Sequence, residues 1–198
     1  KNVRCVMLPS EFTSDISVTD AGELVKNLGC AIDRLPISNT FSNILEDLKP
    51  FFNDHPINTT EENIQARLRG IFLMALSNKF NELLLTTGNK SEVAVGYSTI
   101  YGDMAGGFNP IKDLYKTRVF EICTWRNNNY RSWMMGQKKA IIPENIITKA
   151  PTAELRENQK DEDSLPPYEI LDEILEELIA NDSSIRECVN YGYDRDLV

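Results

Sequence analysis

Two threonines and a glutamate stand where an apolar run passes into the start of a helix. Residues 83–85 are three leucines, typical of a buried strand, and the polar turn TTGN follows them. The run KSEVAVG then has the composition of a closely packed helix. In an open parallel sheet, ligands bind outside the carboxyl ends of the strands, beside helix N-termini with free N–H groups. Thr86, Thr87 and Glu92 would line such a crevice.

From the residues alone, two interpretations of Glu92 stay open. It is either a ligand for a cation or an acid that the helix dipole favours in the first turn. Lys116 raises the related question, because it lies in the first turn of a helix predicted at residues 115–125. A positive charge is disfavoured there unless an anion is nearby. The position of Lys116 therefore favours an anion-binding role.

The elements before these residues follow the order that a parallel sheet requires. The run VRCVML, stopped by Pro9, suits a strand buried on both faces. A helix at residues 20–28 follows, with Ser17 or Thr19 as its N-cap and Gly29 as its end. Residues 30–35 form a second strand. Strand, helix and strand predict a right-handed β-α-β unit.

The longest predicted helix begins at the capping signature TTEE, residues 59–62. Asn63, Arg67 and Gly70 recur at spacings of four and three, so they share one side of this helix. Arg69 lies on another side. Taken alone, Arg67 would be a solvated surface charge.

The remaining chain alternates shorter helices and polar loops. Helices are predicted at residues 40–52, 144–148 and 168–180, with one more turn near the end. Adjacent Gly106 and Gly107 give a backbone that can approach a ligand closely. Residues 156–164, RENQKDEDS, have the composition of a mobile linker with nothing to bury.

Composition excludes several classes of partner. The 198 residues carry a net charge of −9, whereas nucleic acid or anionic lipid requires clustered Lys and Arg, so neither partner is expected. No apolar run approaches the roughly 20 residues that span a bilayer, and the N-terminal segment lacks a signal peptide's apolar core. These features predict a cytoplasmic protein. Four separated cysteines and one histidine indicate neither a zinc site nor a disulfide framework.

Four blocks of the sequence, in order, resemble the synthetase domain of the NAD synthetase family, particularly its long, glutamine-dependent form. They are CVMLPSEFTSD, ENIQARLRG, TGNKSEVAVGYSTIYGDMAGGF and KAPTAELRENQKDEDSLPPYEILDEIL. The blocks cover nearly the whole chain, so they are far more specific than one motif. The resemblance implies an α/β fold, an open parallel sheet with helices on both faces, of the adenine nucleotide alpha hydrolase-like (Rossmann-like) ATP pyrophosphatase type. Residues 1–198 would form a single synthetase domain.

The resemblance also implies a reaction. ATP adenylates the carboxylate of deamido-NAD, pyrophosphate leaves, and ammonia attacks the activated carbonyl to give NAD and AMP. Glutamine supplies the ammonia in the glutamine-dependent form. A hard cation suits a triphosphate, so magnesium is implied as a cofactor beside ATP.

Residues that match the family's deamido-NAD site can be named one by one. Asn63 and Arg67 match residues that contact deamido-NAD in a cleft at the dimer interface. The resemblance thus predicts a homodimer built on residues 60–80, or a larger homo-oligomer. Asp103 matches an acid near the reacting carboxylate, and we expect it to be catalytic. Glu92 matches the acid that helps hold magnesium on the triphosphate.

Four further residues match the family's ATP site. Thr87 matches a threonine beside ATP, and Lys116 and Thr152 match the lysine and threonine that bind its phosphates. Leu8 lies in the segment that matches the one beside the adenine. Residues 160–164 match a loop that covers the site.

One family motif is missing. Family members begin this domain with a strand and a Ser-Gly-Gly-x-Asp-Ser loop, whose N–H groups hold pyrophosphate and whose Asp shares the magnesium. The 198 residues contain no such loop, no basic block at the C-terminal end and no glutaminase domain. We therefore expect an inactive piece of a longer glutamine-dependent enzyme.

Two alternatives remain in view. One is a different ATP pyrophosphatase such as GMP synthetase, which the blocks ENIQARLRG and KDEDSLPPYEIL disfavour. The other is a non-catalytic ATP-binding module of the universal-stress-protein type, whose glycine-rich phosphate loop is also missing here.

Overall fold

The computed structural model describes residues 2–198, in which strand and helix alternate at the start of the chain and helices and loops follow. Strands β1 and β2 span Arg4–Met7 and Ala31–Arg34. Helices α1 to α8 span, in order, Asp15–Leu28, Ser38–Phe52, Thr59–Phe80, Lys90–Ala94, Lys116–Asn128, Glu144–Thr148, Tyr168–Leu175 and Ile185–Tyr191. A single 3₁₀ turn (Asp161–Asp163) precedes α7, and a π-helical turn (Glu176–Ala180) follows it.

The sheet confirms the predicted α/β class with parallel strands. β1 and β2 pair in parallel, from Arg4 opposite Ala31 to Met7 opposite Arg34, and α1 connects them. Within residues 2–198 the sheet has these two strands only. No helix of the described chain is long and apolar enough to cross a bilayer.

The prediction of a buried strand at residues 83–85 is wrong. Leu85 forms one parallel bridge with Phe108, supported by hydrogen bonds from Thr86 N–H to the Phe108 carbonyl (3.0 Å) and from Gly107 N–H to the Leu84 carbonyl (2.9 Å). Leu85 remains 47% exposed. The apolar run has a short loop as its partner rather than a strand, so no ladder extends along it.

The two adjacent glycines make this bridge possible. A Cβ at Gly106 would lie 2.5 Å from Thr86 Cγ2, and one at Gly107 would lie 2.7 Å from Leu83 Cδ1. Real Cβ atoms do not approach so closely, because packed interiors exclude such overlap. The structure thus shows a close approach of this pair to residues 83–86, and the approach to a ligand stays a prediction.

Two helix starts differ from the predicted caps. α1 is capped by Ser14, so it begins earlier than residue 20, although Gly29 ends it in the left-handed conformation as predicted. α3 is capped by Asn58, whose side chain and that of Glu61 form a reciprocal capping box. Both corrections move the cap upstream to a residue whose side chain reaches the free N–H groups.

Helix α7 provides the buried residues of a hydrophobic cluster. Tyr168, Leu171 and Leu175 form its centre, and Tyr115 and Leu165 pack against them. α7 also packs against both α4 and α5. It therefore holds together the starts of two helices that are 26 residues apart in sequence (90 to 116).

Candidate functional site

The start of α4 brings a carboxylate and an ammonium group together. Asn89 caps the helix by accepting the Glu92 N–H at 3.0 Å, and Glu92 Oε2 accepts the Asn89 N–H at 3.3 Å. The other oxygen, Oε1, accepts a hydrogen bond from Lys116 Nζ at 2.7 Å. Each of the two charged side chains remains 19% exposed. Glu92 and Lys116, singled out from separate segments, thus share one site that solvent can reach.

This ion pair explains why a positive charge is acceptable in the first turn of α5. The anion that makes a lysine acceptable at the start of α5 is Glu92 itself, with no ligand required. The ammonium group also lies 5.2 Å from the centre of the Tyr168 ring. The position of Lys116 is therefore explained within the chain, and it is weaker evidence for a bound anion than the sequence suggested.

A buried carboxylate that the sequence analysis missed fixes the helix starts around this pair. Asp172, 5% exposed, accepts hydrogen bonds from Thr117 N–H (2.9 Å) and Thr117 Oγ1 (2.8 Å) with Oδ2. Its Oδ1 accepts the hydroxyl of Ser91, and Ser91 Oγ accepts the Lys116 N–H at 2.9 Å. The available signal was spacing, because Asp172 lies four residues after Tyr168 on the apolar face of α7.

The loop before α7 is folded onto the same region. Asp161, 4% exposed, accepts hydrogen bonds from Tyr97 Oη (3.1 Å) and Tyr168 Oη (2.9 Å). Burial, with the adjacent Asp161 carboxylate, raises the pKa of Tyr97 and of Tyr168 well above the usual value. The prediction of a linker with nothing to bury is wrong at Asp161. Thr152 also lies in the loop before α7, and its hydroxyl donates a hydrogen bond to the Gln159 carbonyl at 2.6 Å.

The two threonines of the polar turn have different surroundings. Thr86 is 8% exposed and its N–H is used in the bridge described above. Thr87 is exposed, two residues before the Asn89 cap. Only Thr87 of this pair has a side chain available to a large ligand.

One side of α3 holds a turn that contains Asp103. Thr99 Oγ1 donates to Asn63 Oδ1 at 2.8 Å, and Arg67 Nε donates to the Ile100 carbonyl at 3.3 Å. Asp103 Oδ1 accepts the Thr99 N–H at 2.7 Å. A Cβ at Gly70 would lie 2.9 Å from the Tyr101 carbonyl oxygen. The predicted stripe of Asn63, Arg67 and Gly70 therefore contacts one turn, to which Asp103 also belongs.

The other side of α3 reaches the end of β1. Arg69 Nε donates to the Leu8 carbonyl at 3.0 Å, and fully buried Gln65 donates to the Leu155 carbonyl at 2.8 Å. Burial lowers the pKa of Arg69, although nearby Glu154 acts in the opposite direction. The Leu8 carbonyl thus joins the end of β1 to α3. Helix α3 therefore contacts both the segment predicted beside the adenine and the turn predicted beside deamido-NAD.

Glu154 is a second charged group that the sequence analysis did not single out. Its Oε1 accepts hydrogen bonds from Ser14 Oγ (2.8 Å), Ser17 Oγ (2.7 Å) and Lys149 Nζ (2.9 Å). Burial raises the pKa of Glu154, but the hydrogen bonds from Lys149, Ser17 and Ser14 outweigh it, so that the pKa lies below its ordinary value. The carboxylate ties the start of α1 to the polar loop after α6.

The residues present fit magnesium only in part. Among residues 2–198, no group of three or more His, Cys, Asp or Glu side chains could hold a metal ion. Magnesium in nucleotide sites is commonly bound by one or two carboxylates together with substrate phosphates and water. Glu92 fits one such carboxylate, provided that Lys116 releases it.

An open apolar groove of about 540 Å³ lies beside the turn that α3 holds. Its lining residues come from α3 and from the segment after α4: Gly70, Ile71, Met74, Ile100, Tyr101, Met104, Ala105 and Gly106. Ile71 is 60% exposed and Tyr101 81% exposed. α3 therefore presents an uncovered apolar surface next to Asn63 and Arg67.

Comparison with known proteins gives the class of this parallel α/β domain. The profile of the family described as NAD synthase matches residues 1–198, so the chain belongs to the NAD synthase family. The glutamine-dependent NAD(+) synthetase of Rhodobacter capsulatus is 58% identical over 194 residues, 98% of this chain and 35% of that protein. The enzyme of the same name from Thermotoga maritima is 53% identical over the whole chain and 33% of its own length. The chain thus spans about a third of the curated relatives that it matches.

Solved structures agree with this assignment. The glutamine-dependent NAD+ synthetase of Acinetobacter baumannii, solved with adenosine diphosphate, has a TM-score of 0.69 and 42% identity over 98% of this chain and 33% of that chain. The NH3-dependent NAD synthetase of Campylobacter jejuni has a TM-score of 0.71 and 26% identity over 99% and 69%. An NMN synthetase from Francisella tularensis has a TM-score of 0.74 and 28% identity over 87% and 66%. The predicted ATP pyrophosphatase fold is confirmed, and the GMP synthetase alternative is not favoured.

Proposed function

We propose that the full-length gene product is a glutamine-dependent NAD synthetase and that this chain is part of its synthetase domain. The reaction would convert deamido-NAD, ATP and ammonia into NAD, AMP and pyrophosphate through an adenylated deamido-NAD. Family membership and the names of the relatives support this proposal. The observation within the structure that supports it is that Glu92 and Lys116, singled out from separate segments, meet at one place that solvent can reach at the start of α4; the pairing alone would also be explained without a ligand.

The ion pair supplies the two charges that an ATP site needs. Lys116 would leave Glu92 for a phosphate oxygen, because an ammonium group binds phosphate as a point charge. Thr87, which is exposed two residues before the Asn89 cap, would also contact the nucleotide. Leu8 and Thr152 would complete the site from the end of β1 and from the loop after α6. Both side chains are only 19% exposed, and a charge left unpaired in such a place is costly, so ATP and its cation would have to give Lys116 and Glu92 new partners as the pair separates.

Magnesium, when bound, would neutralise charge on the triphosphate and on the leaving pyrophosphate. Glu92 would hold it once Lys116 has turned to phosphate. ATP binding then separates the ion pair and gives each of its members a new partner of opposite charge. Use of ATP is supported by the family and by the ADP complex of the relative from Acinetobacter baumannii.

The turn on α3 would take the deamido-NAD end. Arg67 is exposed and donates only through Nε to the Ile100 carbonyl among the described contacts, so its terminal nitrogens can reach an anionic ligand. Asn63 meets Thr99 on the same turn. Asp103 holds the turn through Thr99 N–H, and we propose that it lies near the reacting carboxylate. The catalytic role predicted for Asp103 thus becomes the proposal that its carboxylate lies beside the reacting group.

A second copy of the chain would cover the groove beside this turn. α3 carries exposed Ile71 and Met74 next to Asn63 and Arg67, so a homodimer built on α3 would bury apolar surface and place deamido-NAD between subunits. Sedimentation at micromolar concentration should report a dimer. Ile71→Glu, which puts a charge in the groove, should give a monomer; an Ile71→Glu protein that still sediments as a dimer contradicts this interface.

Activity of the full-length gene product tests the proposed reaction. With deamido-NAD, ATP and glutamine or ammonia, we expect NAD and AMP in equal amounts. Xanthosine monophosphate should give no product in place of deamido-NAD. Preferential formation of NMN when nicotinate mononucleotide is supplied as the acid would instead favour the function named for the relative from Francisella tularensis. Residues 1–198 alone should release no AMP, because the pyrophosphate loop of the family is not among them. Failure of the full-length protein to make NAD would refute the proposal. The cytoplasmic location stays a prediction.

A further inference from the structure

Three helices meet at one buried carboxylate behind the Glu92–Lys116 pair. Asp172 of α7 accepts the Thr117 N–H of α5 and, with its other oxygen, the Ser91 hydroxyl of α4. The Ser91 oxygen in turn accepts the Lys116 N–H. Ser91 is fully buried and Asp172 is 5% exposed, so neither can touch a nucleotide.

These contacts replace the N-cap that α5 lacks. Within residues 2–198, the side chain of Tyr115, at the N-cap position, makes no capping hydrogen bond. The free N–H groups of Lys116 and Thr117 are satisfied instead by Ser91 and Asp172. A carboxylate at this end of α5 also interacts favourably with the helix dipole, which offsets the disfavoured position of Lys116.

We propose that Asp172 is a positioning residue that holds the first turn of α5 so that Lys116 faces the ATP phosphates. This proposal rests on the role given to Lys116 in the proposed function. Lys116 is held at two points by α7: at its backbone through Ser91 and Asp172, and at its ammonium group by the Tyr168 ring. Asp172 thus acts on the nucleotide only through Lys116.

Asp172→Asn in the full-length gene product tests this role. The amide keeps the size of the side chain but removes the charge that faces two helix starts. We expect the KM for ATP to rise about tenfold, the value of one charged hydrogen bond, while the KM for deamido-NAD changes less than about twofold. A residue needed only for folding would lower kcat with the active fraction and leave both KM values unchanged.

The adjacent Glu173 provides the matched control. It lies on the same helix, is exposed, and its described hydrogen bond is with Tyr193 Oη at 3.2 Å. Glu173→Gln makes the same charge change one residue away and should leave the KM for ATP unchanged. An equal rise in both variants would show a general charge effect and would overturn the proposal.

A double-mutant cycle with Lys116→Gln separates this proposal from the function on which it rests. If Asp172 acts through Lys116, then Asp172→Asn should add no further rise in the KM for ATP in the Lys116→Gln protein. A full additional rise overturns the route through Lys116. If Lys116→Gln alone leaves the KM for ATP unchanged, the proposed phosphate-binding role of Lys116 is wrong, and this proposal falls with it.

A milder variant covers the case in which Asp172→Asn does not fold. Ser91→Ala removes the one atom that connects Asp172 to the backbone of Lys116. It should raise the KM for ATP in the same direction and speed hydrogen exchange at the Lys116 amide. Unchanged values for both would overturn the proposal.

Discussion

Substitution of Glu92 by Gln separates its two structural duties from its proposed ligand role. In the ligand-free chain Glu92 accepts the Asn89 N–H in the capping box and pairs with Lys116. Glutamine is also found at this capping-box position, so Glu92→Gln retains the cap and loses only the charge. The two effects of the change can therefore be assigned separately.

The stability cost should exceed that of an exposed ion pair. Each side chain is 19% exposed, so loss of the Glu92 charge leaves the Lys116 ammonium group largely buried without its partner. The cost should lie between about 1 kcal/mol, the upper value for exposed pairs, and roughly 3–5 kcal/mol, the value for a broken buried pair. If Glu92 holds magnesium on the triphosphate, loss of its charge should reduce kcat by a factor on the order of 100 or more. Thermal unfolding and steady-state kinetics of the full-length gene product measure the two quantities.

Glu121 gives the matched control for a lost ion pair. It pairs with Arg118 on the exposed surface of α5, so Glu121→Gln loses a pair without touching the candidate site. We expect full activity from Glu121→Gln and partial recovery of Glu92→Gln by excess Mn²⁺. A fully active Glu92→Gln protein with an unchanged magnesium requirement would refute the ligand role and leave Glu92 as a capping acid.

Three further predictions follow from the contacts of α3 and Glu154. Because hydrogen bonds lower the pKa of Glu154 below 4.5 in the folded state, this group stabilises the fold above that pH and loses its contribution as pH falls through the folded pKa. Glu154→Gln should therefore unfold more easily than the parent at pH 7, with a difference that shrinks below pH 4.5; a constant difference in urea titrations would contradict this. Gly70→Ala should cost about 1–3 kcal/mol, since its Cβ meets the Tyr101 carbonyl at 2.9 Å, and unchanged urea unfolding would show that the turn yields freely. Arg67→Ala should raise the KM for deamido-NAD about tenfold at unchanged Tm, and an unchanged KM would remove Arg67 from the site.

Local spacing predicted those contacts that depend on one helix. The side that Asn63, Arg67 and Gly70 share follows from the helical period, and the structure brings all three to one turn. Gly29 ends α1 as predicted, because a glycine has no Cβ and adopts the left-handed conformation of a helix C-cap without strain. The order of strand and helix at the start of the chain was also predicted, because each of these elements is indicated by the pattern of its own residues.

Contacts between distant segments could not be read from local patterns. Asp161 looked like part of a charged linker, yet its partners Tyr97 and Tyr168 lie outside that run. Asp172 was not singled out from the sequence, because its partners Ser91 and Thr117 come from α4 and α5. The apolar run at residues 83–85 lacked a partner strand, which no property of the run itself discloses.

Because α3 contacts other segments on two of its sides, the spacing of its eight residues 63–70 cannot change without loss of contacts. Asn63, Arg67 and Gly70 contact the turn after α4, while Gln65 and Arg69, interleaved with them, contact Leu155 and Leu8. Insertion of one residue after Asn63 would rotate everything beyond it by about 100° relative to what precedes it. Both sets of contacts would be lost together. Substitutions can tune each end of the candidate site separately, whereas insertions and deletions in this stretch act on both ends at once.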